Sequence, residues 1–176
     1  MNKDNEFIAV LGEAYWEDSI SQLLEKYEIP KTEPKEDDYD IFSLSTKSGF
    51  LKFSFDDDCE TDKQKSMRAQ GNLYLQGISF TFGIPDHEEI TAPFEINEHS
   101  TYESISKLLG HADFQAENIR KTALQYKKIW RLKKEDNTMY HLICNFKIAT
   151  GKVNSIFIST YNSERKYRFV KNELLQ

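Results

Sequence analysis

The chain has 176 residues, 39% of them hydrophobic and 13% aromatic, with a formal net charge of −6. That length supports a single domain with its own core, and that composition excludes a disordered chain. No run reaches the ~20 apolar residues needed to span a bilayer, and the charged start lacks the long apolar stretch of a secretory signal. The sequence therefore predicts a cytoplasmic protein with no membrane partner.

Residues 7–11 form a short apolar run, readable as strand or helix lead-in. Trp16, Ile20, Leu23, Leu24 and Tyr27 then recur at helical spacing, with Glu17 or Asp18 in the first turn. Pro30 ends that helix, because proline lacks the amide donor and restricts the residue before it. Residues 31–40, KTEPKEDDYD, are a charged connector. Residues 40–45 and 50–55 read as two strands joined through TKSG, with Leu51, Phe53 and Phe55 on one face and Lys52 and Ser54 on the other.

Residues 56–70 are too polar to bury and read as a solvated loop. Residues 73–82 form the next strand. Leu73 and Leu75 share one parity, Ile78, Phe80 and Phe82 the other, so a bulge near Gly77 is expected. GIPDHEE reads as a turn. Residues 100–109 predict a second helix with Ile105, Leu108 and Leu109 inward and Gly110 closing it. Residues 112–123 carry no clear period.

Three strand patterns follow. Tyr126, Lys128, Trp130 and Leu132 alternate against Lys127, Ile129 and Arg131. Tyr140, Leu142, Cys144, Phe146 and Ile148 alternate cleanly, which leaves His141 on the polar face. The strand 153–161 follows a tight turn at Gly151. In the polar, basic tail 162–176, Phe169, Val170, Leu174 and Leu175 are candidates to dock.

The predicted fold is α+β: a twisted, mainly antiparallel sheet of about six strands with helices packed on it. The strands are not separated by the long crossovers that a parallel sheet requires. SISQLL at 19–24 recurs as SISKLL at 104–109. The single domain, 1–176, is thus open to a reading as two related halves, about 1–95 and 96–176, against coincidence between two ordinary helical hexapeptides.

Charge is unevenly placed. Residues 1–62 hold 17 Asp and Glu against 6 Lys and Arg, a balance of −11, whereas residues 63–176 hold 12 against 17, a balance of +5. An acidic first third disfavours nucleic acid as its partner and allows a basic protein. Two acidic runs flank the first hairpin at the end opposite its turn. One holds Glu33, Glu36, Asp37, Asp38 and Asp40; the other holds Asp56, Asp57, Asp58, Glu60 and Asp62. Glu36, Asp37, Asp38, Asp40 and the five acids of the second run are the candidate partner-binding residues, with Tyr39 and Tyr27 as candidate aromatic anchors or, equally, core residues. Weighed against this is the simpler reading of solvated loops.

No catalytic or cofactor signature is legible. The second acidic run lacks the spacing, glycine and final Glu of a calcium loop, and adjacent aspartates at a strand end splay into water. There is no phosphate loop, dinucleotide fingerprint, nucleophile elbow or HExxH. His87, His99, His111 and His141 are scattered, and Gly71, Gly77 and Gly83 fit bulges and turns. Cys59 and Cys144 form no metal-type pair, and Cys144 fits a buried strand position. No cofactor, metal or catalytic residue is expected. Lys127, Lys128, Arg131, Lys133 and Lys134, with Tyr126 and Trp130, carry the competing reading of a nucleic-acid-binding or adaptor surface, as does SERKYRF at 163–169. An enzyme whose residues converge only in three dimensions is the third class.

The early helix and proline in SISQLLEKYEIPKTEP, the mid-chain SISKLLG and the closing YHLICNFKIATGKVNSIFIST together resemble immunity proteins of bacterial contact-dependent growth inhibition and related polymorphic toxin systems. In the last segment the resemblance rests on Tyr140, Cys144, Phe146, Gly151, Lys152, Val153 and Ile156. The three stretches cover less than half of the chain. The resemblance implies a small cytoplasmic protein that binds and blocks a cognate toxin domain, often a basic nuclease. It carries over no binding residues, because such families share no fixed ones.

Overall fold

A computed structural model describes residues 5–34, 42–56, 73–84, 90–117 and 125–160. Three helices, α1 (Glu6–Ala9), α2 (Asp18–Lys26) and α3 (Tyr102–Leu109), pack on a twisted antiparallel sheet. Its seven strands are β1 (Phe42–Ser45), β2 (Leu51–Asp56), β3 (Tyr74–Thr81), β4 (Phe114–Glu117), β5 (Gln125–Lys133), β6 (Met139–Lys147) and β7 (Val153–Thr160). The α+β expectation holds, with one strand more than the six predicted. The addition is β4, inside the stretch that lacked a period.

The sheet order is β1-β2-β3-β7-β6-β5-β4, every pair antiparallel. Each half of the chain supplies a helix and then a meander, and the last strands of the two meanders, β3 and β7, pair at the centre. SISQLL lies in α2, and SISKLL lies in α3. Ile20 and Ile105, their matching positions, are both buried. Leu23 and Leu108 match in sequence but not in surroundings: Leu23 is 5% exposed and Leu108 is 56% exposed, against the expectation that it faces inward.

The core lies between helices and sheet. Strand alternation sends Phe42, Leu44, Leu51, Phe53, Phe55, Ile78, Phe80, Leu142, Cys144, Phe146, Ile156 and Ile158 into it, and Phe7, Ile20, Leu24 and Ile105 meet them from the helices. The bulge expected in β3 is present. Ser54 pairs with Gly77 and Phe55 with Leu75, so Gln76 is the extra residue, and both Leu75 and Ile78 reach the core. At Gly77 a Cβ would come within 2.2 Å of the Phe157 ring, so the glycine makes room for that ring.

Helix α2 stops before Pro30. Glu28 takes φ 53, and the Ile29 amide donates to the Leu24 carbonyl at 2.9 Å, a left-handed cap sealed by two buried side chains. Helix α3 is capped by Thr101, which accepts from the Ser104 amide while the Ser104 hydroxyl accepts from the Thr101 amide. Gly151, at φ 66, makes the tight turn between β6 and β7. Strand β6 ends at Lys147, so Ile148 falls outside it and is 57% exposed.

Strand parity puts His141 on the sheet face away from the helices, as expected, but not in a polar, open setting: it is 1% exposed. Its cross-strand neighbours are Arg131 and Ser159. Ile129, Ile143 and Ser159 on that face are buried as well, so the central strands are covered on both sides. No helix among the described residues is long and apolar enough to cross a membrane.

Candidate functional site

Tyr15 is the residue around which the first half of the fold is fastened. It sits in the turn between α1 and α2 and is fully buried. Its amide donates to the Leu73 carbonyl at 2.7 Å, and Ala14 forms a bridge with Tyr74. Where the β3 bulge ends its pairing with β7, the segment around Ala14 takes over as partner. The Tyr15 ring meets Phe42 edge-on at 5.3 Å and Phe55 at 5.0 Å. Its hydroxyl donates to the Thr32 carbonyl at 2.6 Å. Burial raises the Tyr15 pKa; the bond to Thr32 works against that rise and the nearby Glu33 carboxylate adds to it, so the phenol is neutral at pH 7.

These contacts bear directly on the acidic runs. The first lies between Thr32, held by the Tyr15 hydroxyl, and Phe42, packed on the Tyr15 ring. The second begins at Asp56, next to Phe55 on the same ring, and the chain re-enters the described fold at Leu73, held by the Tyr15 amide. The described residues flanking both runs therefore converge on one residue, three on its side chain and Leu73 on its backbone amide. Of the predicted site residues, only Asp56 is described: it ends β2, pairs with Tyr74 and is 6% exposed. Glu36, Asp37, Asp38, Tyr39, Asp40, Asp57, Asp58, Glu60 and Asp62 lie outside the described residues, as do Cys59, His87 and the tail from residue 161.

Tyr27 is half-buried, stacks on Phe7 at 5.2 Å and donates its hydroxyl to Glu6, so it packs at the core rim, the second of its two readings. For Trp16, the first residue of the predicted helical stripe, the structure differs. Helix α2 starts only at Asp18, and Trp16, two residues upstream, is 53% exposed. Its ring packs edge-on against Tyr15 at 4.9 Å, and the Lys31 ammonium lies 5.3 Å from its centroid and 4.9 Å from that of Tyr15. Sequence reasoning missed Tyr15, Trp16 and Lys31. The one available signal was the Glu17–Asp18 pair, whose preference for a helix start sets Trp16 outside it.

The basic, aromatic half is arranged differently. Trp130 is buried, as its shared face with Leu132 predicted, and donates its indole N–H to the Gly110 carbonyl at 3.0 Å. Lys128 lies over the Tyr102 ring at 4.6 Å and also donates to Gln115. Arg131 lies over Phe114 at 4.2 Å. These rings already carry the chain's own cations, which leaves less open aromatic surface for stacking bases.

Cys144 is buried among apolar side chains, and burial pushes its thiol well above the usual range. Tyr140, beside it in sequence parity, is pushed up to about 12 by burial. His99 is exposed, 3.5 Å from Glu98, and His111 lies 3.4 Å from the Tyr102 hydroxyl. Among the described residues, no group of three His, Cys, Asp or Glu side chains could hold a metal ion. The fold and this corner define an α+β protein with a double-meander sheet and an aromatic hub at one end. No protein-family model, curated protein or solved structure matches the chain.

Proposed function

We propose that this protein is an immunity-type inhibitor that binds a basic partner, a cognate toxin domain, through the carboxylates of its two acidic runs. The supporting observation is the convergence of the flanks of both acidic runs on Tyr15. Runs of one charge sign raise the encounter rate with a basic protein and disfavour other partners. The inhibitor then acts by presenting carboxylates in place of substrate phosphates, or by covering the approach to the toxin's active site.

The test is capture by the tagged full-length chain from its source cells, at low and at high salt. A parallel capture uses Asp37→Lys/Asp38→Lys. The expected result is one basic protein, held at low salt, released by salt, lost with the variant, and toxic when expressed without this chain. Capture that survives both salt and charge reversal contradicts the acidic-surface reading. A captured protein that is harmless when expressed alone contradicts the immunity assignment.

A further inference from the structure

We infer that the exposed Trp16 ring seats a cationic side chain, arginine above all, of a basic protein partner, and that Lys31 is the residue this cation displaces. The inference rests on the acidic-surface reading and gives it an anchor among the described residues.

Three large hydrophobic side chains stand exposed among the described residues: Trp16, Leu108 and Ile148. Leu108 follows Lys107, and Ile148 follows Lys147. Trp16 has the opposite setting, with Glu13, Glu17 and Asp18 around it in the chain and Glu33 near Tyr15 behind it. Among aromatic rings an indole face holds a cation best, and tryptophan, tyrosine and arginine are the residues that most often dominate protein interfaces.

The face already demonstrates this chemistry, since the Lys31 ammonium occupies it at 5.3 Å. Lys31 is exposed and donates to the Ser21 hydroxyl at 2.7 Å, so a guanidinium with a planar face to lay on the ring can replace it. The seat is also held in place. Two backbone bonds around Tyr15 and the bond from its hydroxyl fix the turn, and the Tyr15 ring edge braces the indole. Little conformational freedom is left to lose on binding, which is what an anchor needs.

The experiment is a fluorescence-anisotropy titration of a dye-labelled hexa-arginine peptide with the full chain at low ionic strength. It is repeated with Trp16→Leu, Trp16→Phe and Lys31→Met, and with a hexa-glutamate peptide as control. The wild-type chain should bind hexa-arginine and not hexa-glutamate. Trp16→Leu should weaken binding by about 3- to 30-fold, Trp16→Phe should fall between, and Lys31→Met should tighten it. Wild-type affinity in both Trp16 variants overturns the seat while leaving the acidic surface standing. Weaker binding by Lys31→Met overturns the displacement. Failure of the wild-type chain to bind hexa-arginine at all contradicts the acidic surface itself. Urea midpoints of the variants within experimental error of wild type show that the readout is binding and not folding.

Discussion

The Phe157 ring occupies the space that a side chain at Gly77 would need: a Cβ there would lie 2.2 Å from one ring carbon and 2.3 Å from another. The contact bridges β3 and β7, where the two meanders join, so it packs the seam of the sheet. Gly77→Ala should therefore destabilise the protein by about 1–3 kcal/mol, the usual cost of overpacking. In a Phe157→Leu background the same change should cost less, because the clash is removed. Urea unfolding of the wild type, the two single variants and the double variant gives the coupling directly; equal costs in both backgrounds would contradict the contact.

The Glu6 carboxylate accepts from Lys26 at 2.6 Å and also from the Tyr27 hydroxyl. Burial raises its pKa, but these bonds and the Lys26 charge outweigh that and the net shift is downward. A lowered carboxyl pKa gives stability that is present above the unfolded value, roughly pH 4.3, and is lost as pH falls through the folded one. Glu6→Gln should flatten that acid limb, at a cost of no more than ~1 kcal/mol at pH 7, since both partners are partly exposed.

Tyr27 gives the matching alkaline prediction. Burial raises its pKa, and the bond and charge of Glu6 raise it further. Its contribution to stability is present below the unfolded phenol value, ~10, and is lost as pH rises through the folded pKa. Ultraviolet titration of the phenolates should show Tyr27 ionising earlier in Glu6→Gln than in the wild type.

The buried Cys144 thiol should not react with an aromatic disulfide reagent at pH 8 in the folded protein. In a Cys59→Ser variant the native chain should release no chromophore, and the urea-unfolded chain one equivalent. Reaction of the native variant on the time scale of mixing would show that Cys144 is accessible.

At the hub, Tyr15→Phe keeps the ring contacts and removes the hydroxyl that holds Thr32. The expected loss is about 0.5–1.5 kcal/mol. Tyr15→Ala, which also empties the space between Phe42 and Phe55, should cost about 3–5 kcal/mol. Urea midpoints check both, and a near-neutral Tyr15→Ala would remove Tyr15 from its structural role.

Where one rule governed a stretch, the sequence was readable. Alternation placed Leu51, Phe53 and Phe55, and the parity switch between Leu75 and Ile78 located the bulge that Gln76 fills. Gly151 marked its hairpin. Strand β4 was not legible, because four residues at a sheet edge carry too little pattern; its register, Phe114 opposite Ile129, exists only once β5 is beside it. His141 misled for a related reason. Period two places it on the face away from the helices, but only the assembled sheet shows that this face is covered at its centre. SISQLL and SISKLL show the same limit, since Leu23 and Leu108 differ through their neighbours and not through their own segment.

The candidate site was half legible. The acidic runs are visible in the sequence. The residue that ties their flanks together is not, since Tyr15 reaches Thr32, Phe42, Phe55 and Leu73 only in three dimensions. Trp16 is visible in the sequence but its place is not, because it keeps the helical period although the helix starts two residues later, at Asp18.

The most direct measurement of the central proposal is the association rate of the captured basic partner across a range of ionic strength. The chains compared are wild type, Asp37→Lys/Asp38→Lys and Asp57→Lys/Asp58→Lys. The account predicts a wild-type rate that falls steeply with salt, and at least ~10-fold slower association of both variants at low salt, with urea midpoints unchanged. Rates and affinities that are the same in all three proteins would contradict it and return the acids to ordinary solvated chain.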